Sequence, residues 1–199
     1  LKDGGCAGII LNTVARAQDF AQKISECFPE CEMIQMHSQF IISDRAEIER
    51  EILKRAGKNS TPEQRNKLII VGTQVLEQSL DIDFDVMITD LCPMDLLLQR
   101  IGREHRHKGR KRPLCLQKAK CYVLTETRVV YDKWLLQRTA DKLPEHFCLP
   151  DDIPVYVQDV YAEPNEDKKN DLWDEYMRHL EKLEEDAKRF RVGEPVCEE

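Results

Sequence analysis

The sequence has no phosphate-binding loop. No G-x-x-x-x-G-K-[ST] occurs in its 199 residues, and Gly4-Gly5 is too short to serve as one. A P-loop enzyme complete in itself is therefore excluded. No apolar run approaches the ~20 residues of a helical membrane span, so no membrane partner is expected. The eight cysteines (Cys6, Cys27, Cys31, Cys92, Cys115, Cys121, Cys148 and Cys197) form no C-x-x-C pair, and no His/Cys quartet has zinc-ligand spacing. Several sit in apolar runs, as reduced core cysteines do, which sets a cytoplasmic location as the expectation. Internal repeats and low-complexity runs are absent. Without an initiating Met or a signal-peptide pattern, the chain reads as a piece of a longer protein.

What is present is an ordinary globular composition, 41% hydrophobic and 34% charged, with a net charge of −7. The charge is uneven. Residues 1–125 carry 19 Lys/Arg against 17 Asp/Glu, whereas residues 151–199 carry 7 against 16. A near-neutral front with a basic knot from Arg103 to Arg112 thus precedes an acidic tail. A general nucleic-acid coat is disfavoured, but a grip through backbone amides and helix ends needs no large positive charge.

Short apolar runs alternate with amphipathic ones. Strands are expected at residues 8–11, 33–36, 67–71, 86–89 and 121–125. Val14, Ala17, Ala21, Ile24 and Phe28 keep helical spacing behind the candidate caps Asn12 and Thr13, and Pro29 ends that helix. Asp44 and Glu47 resemble a capping box opening a helix that closes at Gly57. Asp95 is the candidate cap of a helix carrying the Arg cluster. This alternation predicts an α/β fold with a mostly parallel sheet. In such sheets functional groups collect at the carboxyl ends of strands. Asn12-Thr13, His37-Ser38 and Gly72-Thr73 all come directly after predicted strands. After residue 125 the pattern changes: Val130, Trp134 and Leu135 suggest one helix, and Pro144, Pro150, Pro154 and Pro164 punctuate the stretch beyond it. A final amphipathic helix is expected over 171–190. The boundaries expected are 1–125 for the sheet domain and 126–199 for a helical extension with an acidic terminal helix.

The densest chemistry lies in Gln99-Arg-Ile-Gly-Arg-Glu-His-Arg106. On a helix, Gln99, Arg103 and Arg106 share one face, Arg100 points elsewhere, and Gly102 permits a close approach. Two parallel guanidiniums suit a planar, multi-oxygen anion such as a nucleotide phosphate. Upstream stands Val71-Gly-Thr-Gln-Val-Leu-Glu-Gln-Ser-Leu-Asp-Ile-Asp-Phe-Asp85. Here Gly72 allows backbone to approach a phosphate, and the Thr73 hydroxyl can bond one. Asp81 and Asp83 could equally form a turn before a strand. His37, His105 and His107 lack a shared helical face, so no metal site is expected. No Ser/His/Asp or Cys/His nucleophile set is recognisable.

The two blocks together resemble motifs V and VI of superfamily-2 helicases. Within that superfamily the wording His37-Ser38-x-Phe40 with Asp44-Arg45, then Thr73-Gln-Val-x-Glu77-Gln78-Ser79-Leu-Asp-Ile-Asp83, then Gln99-Arg-Ile-Gly-Arg-x-His-Arg-His107, is similar to the CRISPR-associated helicase-nuclease of type I systems. DEAD-box RNA helicases would have Arg-Gly at 78–79. Val130-Tyr-Asp-x-x-Leu-Leu-x-Arg-Thr139 and Leu149-Pro-Asp-Asp-Ile-Pro154 extend the match to about residue 165.

The resemblance implies a RecA-like parallel sheet flanked by helices, with a C-terminal helical extension. It implies the second half of an ATP-dependent motor that moves 3′ to 5′ on single-stranded DNA in CRISPR interference. Arg103 and Arg106 would be arginine fingers. Gln99 and Gly102 would belong to the same ATP site, with Asp81, and less directly Asp83, at the ribose. Asn12, Thr13, His37 and Ser38, matching motifs IV and IVa, would touch the tracked strand with Gly72 and Thr73. ATP and Mg2+ would be bound jointly with a first motor domain. The implied partners are single-stranded DNA, upstream motor and HD nuclease domains, and a crRNA-guided surveillance complex. The fragment alone is expected to be inactive. Two rival readings stand beside this one: an RNA or DNA-repair helicase half of the same superfamily, and a non-catalytic RecA-like adaptor.

Overall fold

The structure, a computed structural model, describes residues 1–77, 80–126 and 130–190. Its centre is a five-stranded, all-parallel sheet. The strands are β1 (Cys6–Ile10), β2 (Glu32–Met36), β3 (Leu68–Gly72), β4 (Val86–Asp90) and β5 (Cys121–Leu124), in the spatial order β2-β3-β1-β4-β5. The helices are α1 (Val14–Cys27), α2 (Ile42–Ala56), α3 (Met94–Ile101), α4 (Lys133–Asp141), α5 (Ile153–Tyr161) and α6 (Asp171–Arg189).

Side-chain alternation explains why both sheet faces are covered. In β1 and β3, Cys6, Ile10, Leu68 and Ile70 point to one side, where they meet Ile52 and Ala56 of α2 and the segment carrying Ile82 and Phe84. Ala7, Ile9, Ile69 and Val71 point to the other, onto Ala17 and Ala21 of α1. A third cluster joins Leu97 and Leu98 of α3 to Trp134, Val160, Trp173 and Tyr176 of the last three helices. The extension therefore packs directly on α3.

Four local expectations change. Ile41, not Asp44, occupies the N-cap position of α2, and Asp44 lies in its first turn. Pro93 occupies the N-cap position of α3, and Asp95 instead accepts a 2.7 Å hydrogen bond from the Tyr161 hydroxyl. A helix, α5, forms across Pro154, because proline near a helix N-terminus gives up an N–H that has no intrahelical partner. Finally, α3 ends at Ile101, ahead of Arg103 and Arg106. Arg103 N–H turns back to the Arg100 carbonyl at 2.8 Å, and the Arg103 carbonyl accepts from Phe84 N–H at 2.8 Å. The backbone leaves the helix to pair with the segment before β4, and His105 adopts a positive φ of 49° there.

Candidate functional site

Register brings the predicted strand ends together. Ile10, Met36 and Gly72 lie side by side at the carboxyl edge of β2, β3 and β1. Asn12-Thr13, His37-Ser38 and Thr73 come immediately after them. They share an edge, but their side chains do not all face outward. Asn12 is corrected most clearly. It is 5% exposed, its amide nitrogen donates to the Leu91 carbonyl at 2.8 Å, and its Oδ1 accepts from Arg100 at 3.1 Å. Thr13 caps α1, accepting from Arg16 N–H at 3.3 Å. His37 is buried and stacked on Phe40 at 4.3 Å, and burial lowers its pKa. Ser38 is exposed. Thr73 is buried, and its N–H donates to the Met36 carbonyl. Gly72 faces that same carbonyl: a Cβ there would lie 2.4 Å from the Met36 oxygen. Its close approach in this structure is to β2.

The arginine cluster is organised by the 77–85 segment. Arg103 Nη2 donates to the Glu77 carbonyl at 2.7 Å, and Arg106 Nε donates to Asp81 at 2.8 Å. Burial first, and the neighbouring Arg106 cation second, lower the Arg103 pKa. The two guanidiniums thus adjoin one another without sharing a helix. Asp81 is half-exposed, and its bond to Arg106 lowers its pKa. Gln99 is exposed on α3. Gly102 ends that helix with an ordinary negative φ and meets only carbonyls of its own helix. Gln78 and Ser79 lie outside the described residues.

Asp83 is a second correction. It has no exposed surface and is clasped by Arg110 at 2.5 Å and Arg112 at 2.8 Å. Its carboxylate is saturated from inside, by Arg110 and Arg112. The basic knot therefore divides. Arg110 and Arg112 turn in to Asp83 and Asp85, and Arg110 also donates to the Gly57 carbonyl at the end of α2. Lys108 stays exposed.

Sequence reasoning missed the residue at the centre of this arrangement. Arg100 is fully buried and donates to Glu77, Asn12 and Thr89. Its signal was available: it lies three residues after the buried Leu97, on the inward side of a helix. Cys6, Cys92 and Cys121 are poor nucleophiles, because burial pushes their thiols up to about 12.

Residues 3–109 match the family model described as CRISPR-associated nuclease/helicase Cas3, C-terminal. The chain is 44% identical to a CRISPR-associated nuclease/helicase Cas3 of Streptococcus thermophilus, an alignment covering 98% of this chain and 23% of that protein. Among solved structures it is similar to T. fusca Cas3 with AMPPNP, at 35% identity and TM-score 0.80, over 92% of this chain and 22% of that one. It is also similar to a chain of a CRISPR RNA-guided surveillance complex in a pre-nicking state, at 35% identity and TM-score 0.74, over 89% of this chain and 23% of that one. The chain thus spans less than a quarter of the length of each of these relatives.

Proposed function

The chain belongs to the family of Cas3 C-terminal domains, and from that premise we propose that it is the second motor half of an ATP-dependent DNA helicase acting in CRISPR interference. The observation that carries this reading is that Arg103 bonds the Glu77 carbonyl while its neighbour Arg106 bonds the half-exposed Asp81. Guanidiniums hold a permanent, delocalised charge, and two neighbouring ones can meet the charge that spreads over phosphoryl oxygens during transfer. One atom supports the fit: Arg103 Nε is buried without a hydrogen-bond partner among the described residues. Arg106 is already accessible.

In this reading Arg103 and Arg106 act on the γ-phosphate, Gln99 and Gly102 border them, and Asp81 takes the ribose. ATP and its Mg2+ are held jointly with a first motor half on the same polypeptide. The strand track keeps Thr13 and Ser38, with Thr73 behind them, on the carboxyl edge of the sheet. Single-stranded DNA is the substrate, travel is 3′ to 5′, and the protein works in the cytoplasm with an upstream HD nuclease and a crRNA-guided surveillance complex. The relatives' names, helicase, nuclease and surveillance complex, support the helicase and CRISPR parts of that assignment.

The test uses the full-length protein. Arg106→Ala should slow DNA-stimulated ATP hydrolysis by roughly 10³-fold or more, as loss of an arginine finger does. Binding of single-stranded DNA should stay within about threefold of wild type. An equal loss of binding and hydrolysis would assign Arg106 to the strand track instead.

A further inference from the structure

Glu77 is gripped from two directions. Its side-chain Oε2 accepts from Arg100 Nε at 2.6 Å, while its main-chain carbonyl accepts from Arg103 Nη2 at 2.7 Å. One residue thus carries both the handle held by the core and the acceptor that fixes the neighbouring guanidinium. The core end is held by further bonds. Arg100 also donates to Asn12 Oδ1 at 3.1 Å and Thr89 Oγ1 at 2.9 Å, so its own position is set by two strand ends.

The burial of this pair calls for a reason. The side chains of Arg100 and Glu77 are 0% and 1% exposed. Taking both charges out of water is expensive, and an apolar pair of similar volume stabilises a core as well or better. A charge-assisted bond supplies direction, which apolar contact does not. The direction supplied here is the orientation of the Glu77 peptide, and that peptide's carbonyl meets Arg103.

We propose that the Glu77–Arg100 ion pair is a positioning device for Arg103: it orients the Glu77 carbonyl, and the carbonyl holds the Arg103 guanidinium ready for a nucleotide phosphate. Neither Glu77 nor Arg100 touches the reacting atoms. The inference rests on the nucleotide reading of Arg103 given above.

A double-mutant cycle in the full-length protein tests it, with kcat and KM for ATP measured in the presence of single-stranded DNA. Glu77→Gln keeps the volume and removes the charge. It should lower kcat about tenfold, with KM for ATP within about twofold of wild type, because the lost interaction belongs to the transition state. In an Arg103→Ala background the same change should alter kcat less than about twofold, since the group it positions is gone. If Glu77→Gln multiplies the Arg103→Ala loss in full, the positioning role is overturned while the nucleotide reading survives. If Arg103→Ala alone leaves kcat at the wild-type value, the nucleotide reading fails first. Arg100→Lys, which keeps the charge but loses the forked geometry, runs the same cycle should Glu77→Gln fail to fold.

Discussion

A single carboxyl shows how far burial can move chemistry in this molecule. Glu104 comes right after Arg103 in sequence, yet it turns inward: it is 8% exposed, and its Oε1 accepts from Lys120 N–H at 2.6 Å. Burial pushes its pKa from 4.5 up to about 7, against the opposing pull of that hydrogen bond and of Arg112, while Asp83 adds to the rise. The folded state therefore holds this proton more tightly than the unfolded chain does. The stabilisation is complete below about pH 4.5 and is lost as pH rises through about 7. Glu104→Gln keeps an acceptor for Lys120 and cannot ionise. The variant should match wild type near pH 4.5 and exceed it by up to about 3 kcal/mol at pH 8. Denaturant unfolding of the 199-residue chain across that range checks it; parallel pH profiles would mean that Glu104 stays charged and solvated. The same scale limits what sequence can tell. Arg110 and Arg112 read as members of one exposed basic knot with Lys108, and nothing in their spacing reveals that they close over Asp83. That pairing depends on a loop brought back against the residues before β4, a contact 27 to 29 positions away.

Elements were legible where a period of two or 3.6 ran undisturbed. All five strands fall within two residues of their expected bounds, and α1, α2 and α6 are helices as their spacing implies. The failures lie where a local contact, and not side-chain periodicity, decides the structure. α3 stops at Ile101 because the Arg103 carbonyl and the His105 N–H pair with Phe84, so the shared face expected for Gln99, Arg103 and Arg106 never forms. α5 went unseen because Pro154 was read as a breaker, although it stands at the helix start. Gly72 is the sharpest case at this scale. It reads as a phosphate-approach glycine, and at the end of β3 it instead lets β2 and β3 come together. An added methyl would lie 2.4 Å from a main-chain oxygen of Met36 and 2.7 Å from Leu76 Cδ1. The Leu76 tip can rotate away; the strand carbonyl cannot move without shifting β2. Gly72→Ala should therefore cost about 1–3 kcal/mol of stability, the range of an overpacked core. Thermal unfolding of the chain is the measurement. A variant with wild-type stability and weakened DNA binding in the full-length protein would return Gly72 to the strand track.

At the scale of the whole molecule, the helical extension is part of the same packed body as α3. Trp134 and Trp173 meet edge to face at 5.3 Å, Val160 is fully buried beside them, and Tyr131 shares a 3.1 Å hydrogen bond with Gln74 of the strand-end loop. This packing leaves Arg106 open: its side chain is 42% exposed. No helix among the described residues is long and apolar enough to cross a membrane. Exposed Arg106 beside the half-exposed Asp81, with the partly buried Arg103 next to it, is in this reading half of a nucleotide site. The other half needs a glycine-rich loop to cradle the phosphates, and the sequence contains none. Purified alone, the 199-residue chain should therefore turn over ATP no faster than its own Arg103→Ala/Arg106→Ala variant, with or without single-stranded DNA. Supplying the first motor half in trans should restore turnover only for the chain with both arginines intact. Turnover by the isolated chain that disappears in the double variant would show that these two guanidiniums complete a nucleotide site within this fold, and the two-half description would have to be abandoned.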